Sequence, residues 1–413
     1  MDINNTTTMQ SKTTLTALGA AALGLVFICP SAIGQNPSAP RQATYGPAAK
    51  FLHGFEFWFG ARNRNGSAAS NRATAPETPE RCANIVSFDA PGAIYTLPYD
   101  INPAAAIIGE YGKDLQTILG FLREPDGRFT TIVAPGASFA TVPQSISPTG
   151  EIAGDYAGAD DIFHGFLRAR DGKFTSFDAP GAGTGPFQGT NPVNINAAGE
   201  ISGEYTDSTY VSHGFVRARD GRIITFDAPG VGTSPGQGTF TASAGGMSPE
   251  GTIAGAYVDD ANVAHGYVRA ANGAITTFDV PGAGTGPNQG TGANGINPAG
   301  EIVGGYTDDS NVNHGFVRDR DGRITTFDVP NAGTASGQGT VPESINPAGE
   351  VTGFFYDENG VFHGFLRERD GTIAQFDVPG TGTAPVSINP LNSITGYYFD
   401  ASGSSPHGFL RTP

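Results

Sequence analysis

Three things are scarce in this sequence of 413 residues: positive charge, sulfur and stretches suited to helix. Gly and Pro, the two residues worst suited to helix interiors, number 60 and 30, which excludes a mostly helical protein. Charged residues make up 15%, against about 25% in an ordinary soluble domain. Only 23 bases stand against 39 acids, a formal net charge of −16. A chain that binds nucleic acid needs a basic footprint for the phosphates, so the charge argues against nucleic acid and disfavours anionic membrane surfaces as partners. Cys29 and Cys82 are the only cysteines, and one Trp, Trp58, is present. No apolar run is long enough to span a membrane, since the longest, Leu15 to Ile28, falls short of the ~18 residues a spanning helix needs. What the chain does have is 27 Phe and 13 Tyr, aromatic bulk of the kind that strands favour.

The Leu15–Ile28 run behind Lys12 reads as the core of a signal peptide over residues 1–34. Ala32-Ile33-Gly34 supplies small residues for cleavage before Gln35, and Met9 offers a compact basic start. A lipid anchor on Cys29 is the competing reading, opposed by the bulky Phe27 and Ile28 before it. With Cys29 removed, Cys82 leaves no partner for an internal disulfide. Residues 35–83, rich in Ala, Ser, Asn, Pro and Arg, form a flexible leader. Its one aromatic cluster runs from Phe51 to Phe59. The expected location is outside the cytoplasm, either extracellular or periplasmic.

Beyond Asn84 the sequence repeats every 49 residues or so. Phe-Asp-Ala/Val-Pro begins at Phe88, Phe177, Phe226, Phe278, Phe327 and Phe376, with a degenerate copy at Ile132-Val133-Ala134-Pro135. His-Gly-Phe/Tyr begins at His164, His213, His265, His314, His363 and His407, with Leu119-Gly120-Phe121 as its degenerate copy. Each unit reads as a meander of four strands. In residues 191–229, an extended run precedes the turn at Asn196 to Gly199; EISGEYTD and HGFVR follow, and Asp220-Gly221 turns the chain into RIITFDA. Ile85 to Ala90 is a fourth strand with no three before it, and His407 to Arg411 is a third strand with no fourth. Pairing these ends predicts an all-β, seven-bladed β-propeller of four-stranded antiparallel blades over residues 84–413, closed by the N-terminal strand on the C-terminal blade. A β-solenoid is the alternative.

The turn at Asn297 to Glu301, its copy at Asn346 to Glu350, the following Gly-x-Tyr and the HGFxR phrase resemble the repeat of the HAF family of exported proteins. The resemblance covers nearly all of residues 84–413. It implies export and a repeat fold, not a reaction.

The recurring polar residues set the functional expectations. A hairpin centred on Tyr210 would place Asp207 opposite His213 and Tyr205 opposite Phe215, with Asp259/His265 and Asp308/His314 alike. The histidines His164, His213, His265, His314, His363 and His407 are expected to form a structural network, because six copies around a ring suit a scaffold better than one active site. Arg168, Arg217, Arg269, Arg318 and Arg367 share a strand face with those histidines, and carboxylates are their expected partners. The loops AGTGPFQGT, VGTSPGQGT, AGTGPNQGT and AGTASGQGT lack the Lys-Ser/Thr of a phosphate loop. They put Gln188, Gln237, Gln289 and Gln338 on one rim with Asp207, Asp259 and Asp308, the expected binding surface for a carbohydrate or protein ligand. No catalytic set, cofactor motif or metal cluster is recognisable. The sequence favours an exported, non-catalytic propeller serving as a binding or scaffold surface. A propeller enzyme, a lyase or glycan hydrolase working at the rim or channel, is the rival.

Overall fold

A computed structural model describes residues 83–413 except Ala244. The signal peptide, nearly all of the leader and the Phe51–Phe59 cluster lie outside the described residues. Within them the chain is all β, with 28 strands and no helix.

The third repeat shows how the sequence makes a blade. Gly189–Ile195, Ile201–Thr206, Ser212–Arg217 and Ile223–Phe226 pair antiparallel in chain order. Their turns carry the expected residues: the Asn196 carboxamide accepts from the N–H groups of Ala198 and Glu200, and Gly221 takes a φ of 93°. The Gly of Gly-x-Tyr is dictated by close approach, since a Cβ on Gly203 would run into the Asn191 carbonyl oxygen.

Blades of this kind recur along the chain, and the 28 strands fit seven groups of four. Asn84–Phe88 lies antiparallel along Pro406–Thr412, with Ser87 opposite Phe409. This strand therefore makes up the fourth in the sheet of Gly382–Ile388, Ile394–Phe399 and Pro406–Thr412.

The core lies between neighbouring sheets. Phe215, fully buried, meets Phe177 of the preceding repeat edge-on at 6.2 Å, within a cluster that also holds Ala153, Ile195, Ile201 and Tyr205. Such aromatic pairs contribute about 0.5–1.5 kcal/mol beyond the area they bury. The first strands are tied side by side across repeats. Asn194 donates to the Ala242 carbonyl at 2.8 Å, and Asn294 donates to that of Pro342 at 2.7 Å. The buried Asp100 carboxylate accepts from the hydroxyls of Ser145 (3.1 Å) and Ser387 (2.9 Å) and from the Ile146 N–H (2.9 Å).

Two sequence expectations need correction. The hairpin is not centred on Tyr210: Tyr205 stands opposite His213, and Phe215 opposite Gly203. The loop itself moves the centre. The Asp207 carboxylate accepts from the N–H groups of Thr209 and Val211, the Asp207 N–H donates to Val211, and Tyr210 adopts a φ of 63°. The arginines do not pair with carboxylates as expected. The guanidinium groups of Arg217, Arg269, Arg318 and Arg367 lie 4.7–5.0 Å from the ring centres of Phe177, Phe226, Phe278 and Phe327, one repeat earlier. Stacking on a ring suits a planar, weakly hydrated cation that has been taken from water. Arg168 falls outside this series, and the preceding repeat carries Ile132 where the others carry Phe.

Candidate functional site

The rim is built from two kinds of loop. The hairpin loop between second and third strands begins with an aspartate that folds the backbone around its own carboxylate, as in Asp207, Asp259 and Asp308. The histidine that opens the third strand reaches this aspartate through Nε2: His213–Asp207 at 3.5 Å, His265–Asp259 at 3.4 Å, His314–Asp308 at 3.5 Å. On its other side each imidazole meets the aspartate of the Phe-Asp-x-Pro phrase. Nδ1 of His213 is 2.9 Å from Asp227, and the same contact joins His164 to Asp178, His265 to Asp279, His314 to Asp328, and His363 to Asp377. His407 takes Asp89, from the opposite end of the chain, at 2.9 Å. The ring then stacks on the tyrosine opposite, at 4.9–5.0 Å for Tyr205, Tyr257 and Tyr306, and on Phe355 at 5.2 Å.

Hydrogen bonds to the Phe-Asp-x-Pro aspartates hold His213, His265, His314 and His363 above the ordinary imidazole range. The first repeat has Leu119 where the others have His and Val133 where they have Asp. Both partners change together, as a structural couple should.

The loops that lead into each first strand cover the junction between repeats. Gly183 donates its N–H to Thr206 of the next hairpin, while Phe187 donates to Asp161 of the previous one. The rim therefore does bring the glutamines and the loop aspartates together. Gln188, Gln237 and Gln289 are buried, at 4%, 2% and 8% exposed, and Gln338 is partly exposed. Their Oε1 atoms accept from N–H groups of their own loops, at Gly185, Ser234, Gly286 and Ala335. The Nε2 groups of Gln237, Gln289 and Gln338 reach Asn262, Asn311 and the Glu358 carbonyl. These amides fasten one loop to the next.

Sequence reasoning passed over two further features of this surface. The first is a pair of exposed aromatic residues. Phe187 and Tyr210, 37% and 44% exposed, both hold the left-handed backbone, at φ of 62° and 63°. The equivalent positions elsewhere carry residues that tolerate this conformation: Gly236, Asn288 and Gly337 for Phe187; Asp161, Asn262, Asn311 and Gly360 for Tyr210. A bulky residue there stores about 1–3 kcal/mol of strain. The Tyr210 hydroxyl donates to the Pro186 carbonyl at 3.3 Å, next to Phe187, so both residues belong to one patch between the second and third repeats. The signal was present in the loop AGTGPFQGT, where Phe stands against the Asn of AGTGPNQGT.

The second feature is an inner layer of acids. The residue after the Gly of Gly-x-Tyr is Glu110, Asp155 and Glu204 in the first three repeats, then Ala256, Gly305, Phe354 and Tyr397. Burial pushes Glu110 and Asp155 up to about 7 and Glu204 up to about 8. Two residues beyond the partners of Glu110 and Asp155, a β-bulge in the first strand presents Tyr99 and Gln144, flanked by Pro98/Asp100 and Pro143/Ser145. The bulge of the sixth repeat presents Glu343. Bulges re-aim single side chains in this way. The Gln144 amide donates to Asp155 at 3.4 Å, and Asn191 to Glu204 at 3.1 Å. Among the described residues no three His, Cys, Asp or Glu side chains are grouped to hold a metal ion.

No family model matches the chain, and no curated protein matches it. Solved structures do. Virginiamycin B lyase from Staphylococcus aureus aligns with 15% identity and a TM-score of 0.51, covering 80% of this chain and 99% of that one. A catalytically inactive form of that lyase with quinupristin gives 14% and 0.52, covering 80% and 99%. A streptogramin B lyase gives 14% and 0.52, covering 80% and 98%. Antiparallel units of four strands repeated along the chain and these likenesses define the class: the chain has the fold of a β-propeller. At such identities the likeness concerns the fold alone.

Proposed function

We propose that the chain is an exported, seven-bladed, closed β-propeller whose rim binds carbohydrate without catalysis. The observation that carries the binding reading is the pair Phe187 and Tyr210. Repeats that need only a loop use Gly, Asn or Asp at these positions, whereas here two aromatic side chains are kept exposed at a cost in backbone strain. Exposed ring faces offer stacking for the apolar face of a pyranose. The exposed Asp160 and Thr209 and the partly exposed Asp161 beside them supply hydrogen-bonding groups for sugar hydroxyls. Two observations favour closure: Asn84–Phe88 pairs with Pro406–Thr412, and Asp100 joins Ser145 to Ser387. Export rests on the Leu15–Ile28 run. The His–Asp couples recur with one geometry, which suits a scaffold. No lyase chemistry is carried over from the similar folds.

The test is retention of the full chain on a glycan array, followed by titration of the retained glycan into Phe187→Asn and Tyr210→Asn variants. Each variant is expected to lose at least tenfold in affinity. Each should also gain about 0.5–1 kcal/mol of stability, because Asn accepts the left-handed backbone. Absence of any retained glycan, or variants that bind like the native chain, would overturn the proposal.

A further inference from the structure

Glu343 lies apart from the rim couples and has an uncompensated carboxylate. It sits on the first-strand bulge of the sixth repeat, is 6% exposed, and its buried Oε1 has no hydrogen-bond partner. Burial alone drives its pKa well up. A carboxyl buried in this way stays protonated unless a cation supplies the partner that lets it ionise.

Its surroundings indicate what that partner is. Leu97, Val341, Phe354, Ala384, Tyr397 and Phe399 form one buried cluster, and Tyr95, Tyr99 and Tyr356 pack on its partly exposed edge. Val341 of this cluster lies two residues before Glu343 on the same strand, and burial foremost, with the Glu343 charge adding to it, raises the phenols of Tyr356 and Tyr397, so the carboxylate lies near these rings. At the other side of the cluster Glu110, 3% exposed, accepts hydrogen bonds from Tyr95 and Tyr99. The assembly joins the first, sixth and seventh repeats, and the remaining repeats do not reproduce it. Aromatic faces attract cations through their quadrupoles, most strongly where water is excluded. An alkylammonium ion also donates a charge-assisted hydrogen bond to a carboxylate. A divalent metal ion would need a third ligand, and none converges here.

We propose that this tyrosine-lined cluster binds a small organic ammonium ion, with Glu343 as its counter-ion and hydrogen-bond acceptor and the rings of Tyr99, Tyr356 and Tyr397 around it. The site is distinct from the rim patch, and its test does not depend on glycan binding.

Isothermal titration of the full chain with methylammonium chloride at pH 8, against sodium chloride at equal ionic strength, provides the measurement. Saturable binding of methylammonium is expected, with no response to sodium. Glu343→Gln should weaken binding at least tenfold, while thermal unfolding stays level or moves upward because a buried charge is gone. Phe187→Asn should leave ammonium binding unchanged. No saturable binding of methylammonium, or equal binding by Glu343→Gln in a chain that unfolds like the native one, would overturn the assignment. So would a neutral methyl pyranoside that competes for the same site.

Discussion

Replacing Asp100 by alanine is expected to cost about 3–5 kcal/mol of stability, because the loss strands three buried donors of neighbouring repeats, together with the Ile101 N–H beside it, at about 1–3 kcal/mol each with partial relaxation. The three donors are the Ser145 hydroxyl, the Ile146 N–H and the Ser387 hydroxyl. They come from the second and seventh repeats, so one side chain holds three first strands together. Burial raises the Asp100 pKa, and the hydrogen bonds it accepts oppose that rise. Asp100→Asn keeps the shape and one acceptor, and should cost clearly less than the alanine variant. Denaturant unfolding of the full chain measures both. A loss below 1 kcal/mol for Asp100→Ala would show that the first strands do not depend on this carboxylate.

The second large effect concerns the rim couples. His213→Leu and Asp227→Val, made singly, should each destabilise by about 1 kcal/mol, the scale of a half-exposed charged hydrogen bond. Made together, they reproduce the Leu119/Val133 combination of the first repeat and should cost less than the sum. The coupling should also depend on pH in one direction. The native histidine is raised, so its contribution is complete below the ordinary imidazole value of about 6.5 and fades as pH rises through the native value. The buried acids act with the same sign. Glu110, Asp155 and Glu204 are raised to about 7, 7 and 8, so the stability they lend is present at low pH and lost as pH climbs past these values. Unfolding free energies at pH 6 and pH 9 should show less stability and weaker coupling at the higher pH. Equal coupling at both would mean that the imidazole is not charged in the fold.

The sequence made the strands and turns legible because spacing alone carries them. Gly-x-Tyr, HGFxR and FDxP recur at nearly fixed intervals, and each fixes a turn or a strand face. Contacts between repeats were harder to read. The stacking of Arg217 on Phe177 crosses from one sheet to the next, and nothing within a single repeat reveals it. The partner of His213 was hidden in a different way. Asp227 lies beyond the next hairpin, and its tie to the histidine shows only in the joint replacement by Leu119 and Val133. The hairpin register slipped because Tyr210 adopts a backbone that tyrosine rarely takes. The inner acids and Glu343 escaped for the opposite reason. They occupy positions where the repeats disagree, and a reading built on what recurs passes over such positions.

The rim and the tyrosine cluster both depend on the two ends of the chain meeting. Amide hydrogen exchange of residues 84–88 tests this most directly. The Val86 and Phe88 segment pairs with Leu410 and Gly408, so its bonded amides should exchange as slowly as those of Ile223–Phe226, the matching outer strand of the third repeat. Exchange of 84–88 at the rate of a free chain, with 223–226 protected, would contradict the closed ring.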